Sequence, residues 1–133
     1  MIAEGKVLVI DLDGVLCKIK SSEQEYSDLE PIPEVIERIK LYKKEGFHII
    51  INTSRNMRTY KGNLGKINAN TLKTIFQWLD HHNIPYDEIH IGKPWCGKEG
   101  FYIDDKAIRP SEFLNKSYDE IKEILDGEKL WKI

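Results

Sequence analysis

The chain has 133 residues, of which 41% are hydrophobic, and a formal net charge of −2 at pH 7. This length predicts one globular domain over residues 1–133. The nearly balanced charge gives no support for a nucleic-acid or membrane-surface partner, and we expect neither. No apolar stretch approaches the ~18 residues of a membrane-spanning helix, so we expect a cytoplasmic protein.

The first half of the chain alternates apolar strands with amphipathic segments. Residues 6–11 form a short apolar run, which is typical of a buried parallel strand. A helix is predicted to start near Pro33 and to stop at Gly46, followed by a strand at 47–52 and a loop at 54–70. The apolar face of that helix consists of Val35, Ile36, Ile39 and Tyr42.

The second half continues the alternation with two further strands and two helices. The predicted elements are a helix capped by Asn70 or Thr71 with Leu72, Ile75, Phe76 and Leu79 on its apolar face, strands at 88–91 and 101–103, a helix near 117–126 and a tail at 130–133.

Strands that alternate with helices predict a mainly parallel sheet with right-handed crossovers. We therefore predict an α/β fold, a Rossmann-like three-layer α/β/α sandwich. In such a sheet the carboxyl ends of the strands meet at one edge, and ligands bind there. Polar residues that directly follow the strands are thus the first candidates for a functional site.

Two aspartates, Asp11 and Asp13, follow the first strand, and Gly14 comes next. Neighbouring carboxylates repel each other, and a divalent cation is a common reason for them to coexist. Taken alone, the same residues also fit an ordinary turn, in which Asp and Gly are frequent.

Polar residues follow the other three predicted strands as well. Thr53 and Ser54 end the second strand, Lys93 follows the third, and Asp104 and Asp105 end the fourth. Each alone also fits a strand-end residue, a surface lysine or a helix-capping pair. Together with the two aspartates of the first strand, they favour one shared site.

This order of residues resembles the haloacid dehalogenase superfamily of aspartate-nucleophile phosphatases, over Val7 to Asp105. The first family motif matches Asp11-Leu12-Asp13-Gly14-Val15, the second Thr53, the third Lys93 and the fourth Asp104-Asp105. The stretches NTSRNMRTYKGNLGKIN, GKPWCG and FYIDDKAIRP further resemble a small branch associated with capsule or surface-polysaccharide biosynthesis. Only residues 17–30 separate the first strand from its helix, so the resemblance implies a fold without a cap domain.

The resemblance also implies roles for these residues. Asp11 would be the nucleophile, which suits a carboxylate with an ordinary pKa of about 3.9 that is ionised at pH 7. Asp13 would be the general acid and base. Thr53, Ser54 and Lys93 would bind the phosphoryl group. The implied cofactor is Mg²⁺, with Asp11, Asp13, Asp104 and Asp105 as its ligand set, the last directly or through a water molecule.

The expected function is that of a Mg²⁺-dependent phosphomonoesterase, a phosphatase of the haloacid dehalogenase type, working through an aspartyl-phosphate intermediate. Its expected substrate is a small sugar phosphate or another surface-polysaccharide precursor. Two alternatives stay open: a phosphatase for nucleotides or nucleic-acid ends, and a non-catalytic phosphate-binding or regulatory domain. A site without a cap is open, which leaves room for a homo-oligomer whose neighbouring subunit closes it.

The segment 54–70 contains four basic residues and no acidic one. We hypothesise that Arg55 and Arg58, the two closest to Thr53, bind an anionic group of the substrate; the alternative is a solvated basic loop. Trp95 either stacks on a sugar or packs beneath the loop. The sequence assigns no role to Cys17 or Cys96 and does not name the substrate or the oligomeric state.

Overall fold

The structure, a computed structural model, describes residues 5–128 and divides the chain into two compact units, Met1–Trp95 and Cys96–Ile133. The single domain expected over residues 1–133 stays a prediction. The tail expected at 130–133 lies outside the described residues. Among the residues that are described, none of the helices combines the length and the apolar character needed to cross a bilayer.

A parallel sheet of three strands forms the centre of the first unit. Its strands are β1 (Val7–Ile10), β2 (His48–Asn52) and β3 (Glu88–His90), and β2 lies between the other two. In this register Ile10 lies opposite Ile51, so β1 and β2 end almost side by side. The open parallel sheet confirms the predicted Rossmann-like α/β fold.

Helix α1 (Pro33–Lys44) connects β1 to β2, and its predicted apolar face is buried as expected. Helix α3 (Leu72–His81) precedes β3 and starts at the predicted cap, Thr71. The face predicted for α3 is wrong at Phe76, which is 38% exposed, whereas Trp78 is buried. The fully buried side chains of this core include Leu12, Leu16, Cys17, Val35, Ile39, Ile49, Ile51, Thr53, Ile67, Ile75 and Leu79.

The loop predicted over 54–70 is wrong in its second half, because Leu64–Asn70 forms helix α2. The side chain of Asn63 caps this helix by accepting a hydrogen bond from the backbone N–H of Lys66 at 3.1 Å. Of the two glycines that suggested a loop, Gly62 has a positive φ of 76° and lies before the helix. Gly65 lies inside the helix, where glycine is unfavourable but tolerated.

The second unit contains helices α4 (Pro110–Asn115) and α5 (Tyr118–Gly127). Helix α5 confirms the helix predicted near 117–126, whereas α4 was not predicted. The strand predicted at 101–103 is wrong, because these residues have no regular secondary structure and are exposed. An apolar run favours a strand only where a neighbouring strand pairs with its backbone, which the local sequence cannot report.

Candidate active site

The turn after β1 is held by backbone hydrogen bonds around Leu12. The carbonyl oxygen of Leu12 accepts from the backbone N–H of Leu16 at 2.9 Å and of Cys17 at 3.3 Å. Gly14 has a φ of +87°, a conformation that costs a side-chain-bearing residue free energy. Because Leu12 is fully buried, the turn fixes the backbone of Asp11 and Asp13 on either side of it.

Asp11 and Lys93 form an ion pair beyond the ends of β1 and β3. The Nζ atom of Lys93 lies 3.6 Å from Oδ2 of Asp11, and Oδ1 of Asp11 accepts from the backbone N–H of Leu12 at 2.8 Å. Burial raises the pKa of Asp11 above its ordinary value, while the Lys93 ammonium opposes this shift. The result is a partly desolvated carboxylate next to a cation, which suits a nucleophile that attacks an anionic group.

Thr53 connects the end of β2 to the end of β3 through two backbone hydrogen bonds. Its backbone N–H donates to the carbonyl of His90 at 2.9 Å, and its own carbonyl accepts from the backbone N–H of Lys93 at 3.2 Å. The Thr53 hydroxyl oxygen accepts from the backbone N–H of Arg55 at 3.0 Å, so the hydroxyl proton can donate to another group. The backbone carbonyl of Ser54 accepts from the backbone N–H of Met57 in the turn that follows.

Asp13 is held by a buried arginine. Nη2 of Arg55 lies 2.8 Å from Oδ1 of Asp13, and Nε lies 3.1 Å from Oδ2. The two groups thus form a bidentate, charge-assisted pair of hydrogen bonds. The Arg55 side chain is only 2% exposed. The sequence hypothesis assigned Arg55 to an anionic group of the substrate, but its guanidinium faces Asp13. A buried guanidinium needs such a partner because an unpaired charge there is costly.

Cys17 adds a second donor to the same carboxylate. Its Sγ lies 3.6 Å from Oδ1 of Asp13 and 3.7 Å from the carbonyl oxygen of Leu12. The thiol is fully buried, and burial raises the pKa of Cys17 to about 12. It therefore stays protonated at neutral pH and acts as a hydrogen-bond donor, because the thiolate is the nucleophilic form.

Arg58 and Trp95 form an exposed pair. The guanidinium carbon of Arg58 lies 5.3 Å from the centre of the Trp95 ring, within the range of a cation–π contact. Arg58 follows Thr53 in the chain, and Trp95 follows Lys93. Arg58 and Trp95 thus lie on the two segments that follow β2 and β3.

Asp104 and Asp105 belong to the second unit, where both are exposed. Oδ1 of Asp104 accepts from the backbone N–H of Lys106 at 2.8 Å. Over residues 5–128, no group of three or more His, Cys, Asp or Glu side chains is arranged to hold a metal ion. The predicted ligand set draws on both units and stays a prediction.

Sequence reasoning missed the partnership between Asp13 and Arg55. One signal was present: each residue lies three positions beyond the end of its strand, at Ile10 and Asn52 respectively. Because β1 and β2 are parallel and end almost side by side, both residues leave the sheet at the same edge. The contact with Tyr26, whose ring centre lies 4.1 Å from the guanidinium carbon of Arg55, had no comparable signal.

A crystal structure of a protein from Vibrio cholerae superposes on the chain with a TM-score of 0.89. The two sequences are 52% identical, and the match covers 94% of this chain and 100% of that one. This chain belongs to the same family as the Vibrio cholerae protein. Membership in this family supports the α/β fold and leaves the activity to be argued from the site.

Two further solved structures resemble the chain weakly. D,D-heptose 1,7-bisphosphate phosphatase from B. bronchiseptica, complexed with magnesium and phosphate, is 15% identical, with a TM-score of 0.46 over 73% of this chain and 54% of that one. A chain of the Pnkp1/Rnl/Hen1 complex is 20% identical, with a TM-score of 0.47 over 84% and 34%. Likeness at this level carries no inference about activity. No protein-family model and no curated protein sequence matches the chain.

Proposed function

We propose that the protein is a Mg²⁺-dependent phosphomonoesterase that works through an aspartyl-phosphate intermediate on Asp11. The observation that carries the proposal is the Asp11 carboxylate 3.6 Å from the Lys93 ammonium, directly after β1. The order of the sequence motifs supports it, as does Thr53 at the end of the neighbouring strand. A carboxylate that is partly desolvated and next to a cation is suited to attack an anionic phosphate ester.

In the proposed first step a carboxylate oxygen of Asp11 attacks phosphorus, and the bond between phosphorus and the leaving oxygen breaks. Lys93 offsets the negative charge that collects on the phosphoryl oxygens. The Thr53 hydroxyl and the Ser54 backbone N–H donate to the same oxygens. Carboxylate and phosphate would otherwise repel each other, so these donors lower the barrier to attack.

Asp13 serves as the general acid and base in this proposal. It gives a proton to the departing alkoxide, and the aspartyl phosphate is left on Asp11. Water then attacks phosphorus while Asp13 takes one of its protons, which releases phosphate and restores both aspartates. Proton transfer of this kind typically contributes about 10²- to 10⁴-fold to the rate.

The predicted ligands are of the chemical type that Mg²⁺ prefers, a few carboxylates together with water and phosphate oxygens. The Asp11 side chain is 34% exposed, with a pKa that burial raises, so a further cation would stabilise its ionised form. Both side-chain oxygens of Asp13 contact Arg55, so Asp13 would serve the ion through its backbone carbonyl, as the resemblance implies. On the strength of the sequence resemblance, we propose Asp11, Asp13, Asp104 and Asp105 as the residues that would hold the ion, Asp105 directly or through a water molecule. When bound, the ion would polarise the phosphoryl oxygens.

We propose a small sugar phosphate, such as a surface-polysaccharide precursor, as the substrate, on the strength of the sequence resemblance. Arg58 and Trp95 are the proposed contacts to the part of the substrate beyond the phosphoryl group. Reversing the charge in Arg58→Glu should raise KM about tenfold and leave kcat nearly unchanged, because only binding is affected. An unchanged KM would remove Arg58 from the substrate site.

The deciding experiment measures phosphate release from sugar phosphates, nucleotides and an aryl phosphate, with and without Mg²⁺, for the wild type and for Asp11→Asn. We expect Mg²⁺-dependent release that Asp11→Asn reduces at least ~10³-fold, since the amide is not a nucleophile. The matched control is Asp119→Asn, an exposed carboxylate in α5, which should match the wild type.

Release that survives Asp11→Asn would rule out Asp11 as the nucleophile. Preference for a nucleotide over every sugar phosphate would favour the nucleotide phosphatase alternative. Binding of phosphate without any turnover would favour a non-catalytic phosphate-binding domain.

A further inference from the structure

Tyr26 lies in the segment between the turn after β1 and helix α1, in a single 3₁₀ turn at Tyr26–Asp28. Its ring covers the guanidinium of Arg55, with the ring centre 4.1 Å from the guanidinium carbon. Burial raises the pKa of Tyr26, so the phenol is neutral at physiological pH and offers an uncharged aromatic face. Arg55 is therefore held between this ring and the Asp13 carboxylate.

The guanidinium also contacts Cys17, whose Sγ lies 4.0 Å from Nη2. Its Nη1 atom is buried and has no hydrogen-bond partner in the part of the chain that the structure describes. An unsatisfied buried donor favours any rotation that returns it to water. The contacts with Asp13 and Cys17 and the cover of the Tyr26 ring oppose such a rotation. Loss of the ring would open a path for water and release one side of the guanidinium.

The backbone that carries Tyr26 is itself anchored. The indole Nε1 of Trp78, on α3, donates to the carbonyl of Leu29 at 2.6 Å, and Leu29 is buried. The two ends of the segment are joined to each other, because Cys17 pairs with Pro31 through an isolated antiparallel β bridge. The ring of Tyr26 is thus presented to Arg55 by a fixed segment.

We propose that Tyr26 is a positioning residue for Asp13, acting through Arg55. Tyr26 keeps the guanidinium in the orientation that binds both oxygens of Asp13, and this contact fixes the direction in which Asp13 exchanges a proton with the leaving group. Tyr26 itself touches no reacting atom. The inference rests on the proposed function, in which Asp13 is the general acid and base.

The test compares kcat/KM for two kinds of substrate. An alkyl phosphate needs a proton on its leaving oxygen, whereas 4-nitrophenyl phosphate releases a weak base that needs little protonation. Tyr26→Leu should lower kcat/KM about tenfold for the alkyl phosphate and less than twofold for the aryl phosphate. Tyr26→Phe keeps the aromatic face and is the conservative rescue, so it should recover most of this loss.

Two controls separate positioning from general damage. Tyr118→Leu removes an aromatic face from a similar contact in α5, where Lys122 Nζ lies 4.9 Å from the ring centre, and should leave both substrates unaffected. The Nε–H signal of Arg55 in a ¹H–¹⁵N NMR spectrum, assigned by its loss in Arg55→Lys, reports on the contact without any substrate. We expect slow solvent exchange of this proton in the wild type and in Tyr26→Phe, and exchange at least tenfold faster in Tyr26→Leu.

Each outcome decides the proposal. A selective loss with the alkyl phosphate, rescued by Tyr26→Phe and accompanied by faster Nε–H exchange, supports it. An equal loss with both substrates, or no change in either, overturns it while the proposed function stands. A loss in Tyr26→Phe equal to that in Tyr26→Leu assigns the effect to the hydroxyl and overturns it as well. A wild type inactive on every phosphate ester would instead reject the proposed function, and this inference with it.

Discussion

The strand ends of the first unit and the segment before α4 in the second unit both carry charged residues that the sequence assigns to the site. In the first unit Asp13 is bound by a buried arginine and Asp11 pairs with Lys93. In the second unit Asp104 is exposed and accepts a hydrogen bond from a backbone two residues away. The difference follows from the sheet: strands in register place residues distant in sequence side by side, while a segment without regular structure makes local contacts.

The largest difference between the two regions should appear when a buried and an exposed isoleucine are truncated. Ile51 of β2 is fully buried, whereas Ile103 is 90% exposed. We expect Ile51→Ala to lower the free energy of unfolding by about 3 kcal/mol through lost burial and a cavity. Ile103→Ala should cost less than about 0.5 kcal/mol. Urea denaturation measures both, and similar costs would show that residues 101–103 are packed in solution.

A difference of intermediate size is expected between the stability cost of breaking the buried ion pair of the first unit and that of breaking the exposed ion pair of the second. Arg55→Gln removes the charge-assisted hydrogen bonds to Asp13, and we expect it to lower the free energy of unfolding by about 2 kcal/mol. The matched change in α5 is Lys122→Gln, whose partner Asp119 is 90% exposed, and it should cost less than about 0.5 kcal/mol. Equal costs in denaturation experiments would contradict the buried environment of Arg55.

The smallest effect concerns pH. Asp87, just before β3, accepts a hydrogen bond from the backbone N–H of Ile49 at 2.8 Å and forms an ion pair with Lys43. These contacts hold the pKa of Asp87 below its ordinary value, and the hydrogen bond from Ile49 contributes most. A lowered pKa in the folded state stabilises the protein above the unfolded pKa near 3.9. That stability disappears as the pH falls through the lower folded pKa.

Asp87→Asn should therefore cost up to about 1 kcal/mol at pH 6, since the group is partly screened by water. The difference in free energy of unfolding between the variant and the wild type should narrow as the pH falls toward about 3. Denaturation measured at several pH values would detect this change. The matched change is Glu120→Gln in α5, whose pKa is lowered mainly by local hydrogen bonds with Ser117. It should show a weaker pH dependence, and a gap for Asp87→Asn that is constant with pH would refute the argument.

Local sequence patterns were sufficient to predict much of the secondary structure of the first unit. The apolar runs located β1, β2 and β3 within two residues, and periodicity located the buried face of α1. They failed at α2, where Gly65 suggested a loop, because the cap at Asn63 outweighs the low helix propensity of one glycine. They also failed at residues 101–103, since pairing between strands is not encoded within one segment.

The sequence by itself determined the order β1, α1, β2, α3 and β3 and the polar residues that follow these strands, because periodicity and turn chemistry act over a few residues. It also placed Asp11, Thr53 and Lys93 after successive strands, and the parallel sheet then brought them together. Only the tertiary structure decided that Arg55 lies on Asp13 beneath Tyr26 and that Cys17 donates to the same carboxylate. Such contacts depend on strand register and on which side chains are excluded from water, and both are set by the packing of the whole unit.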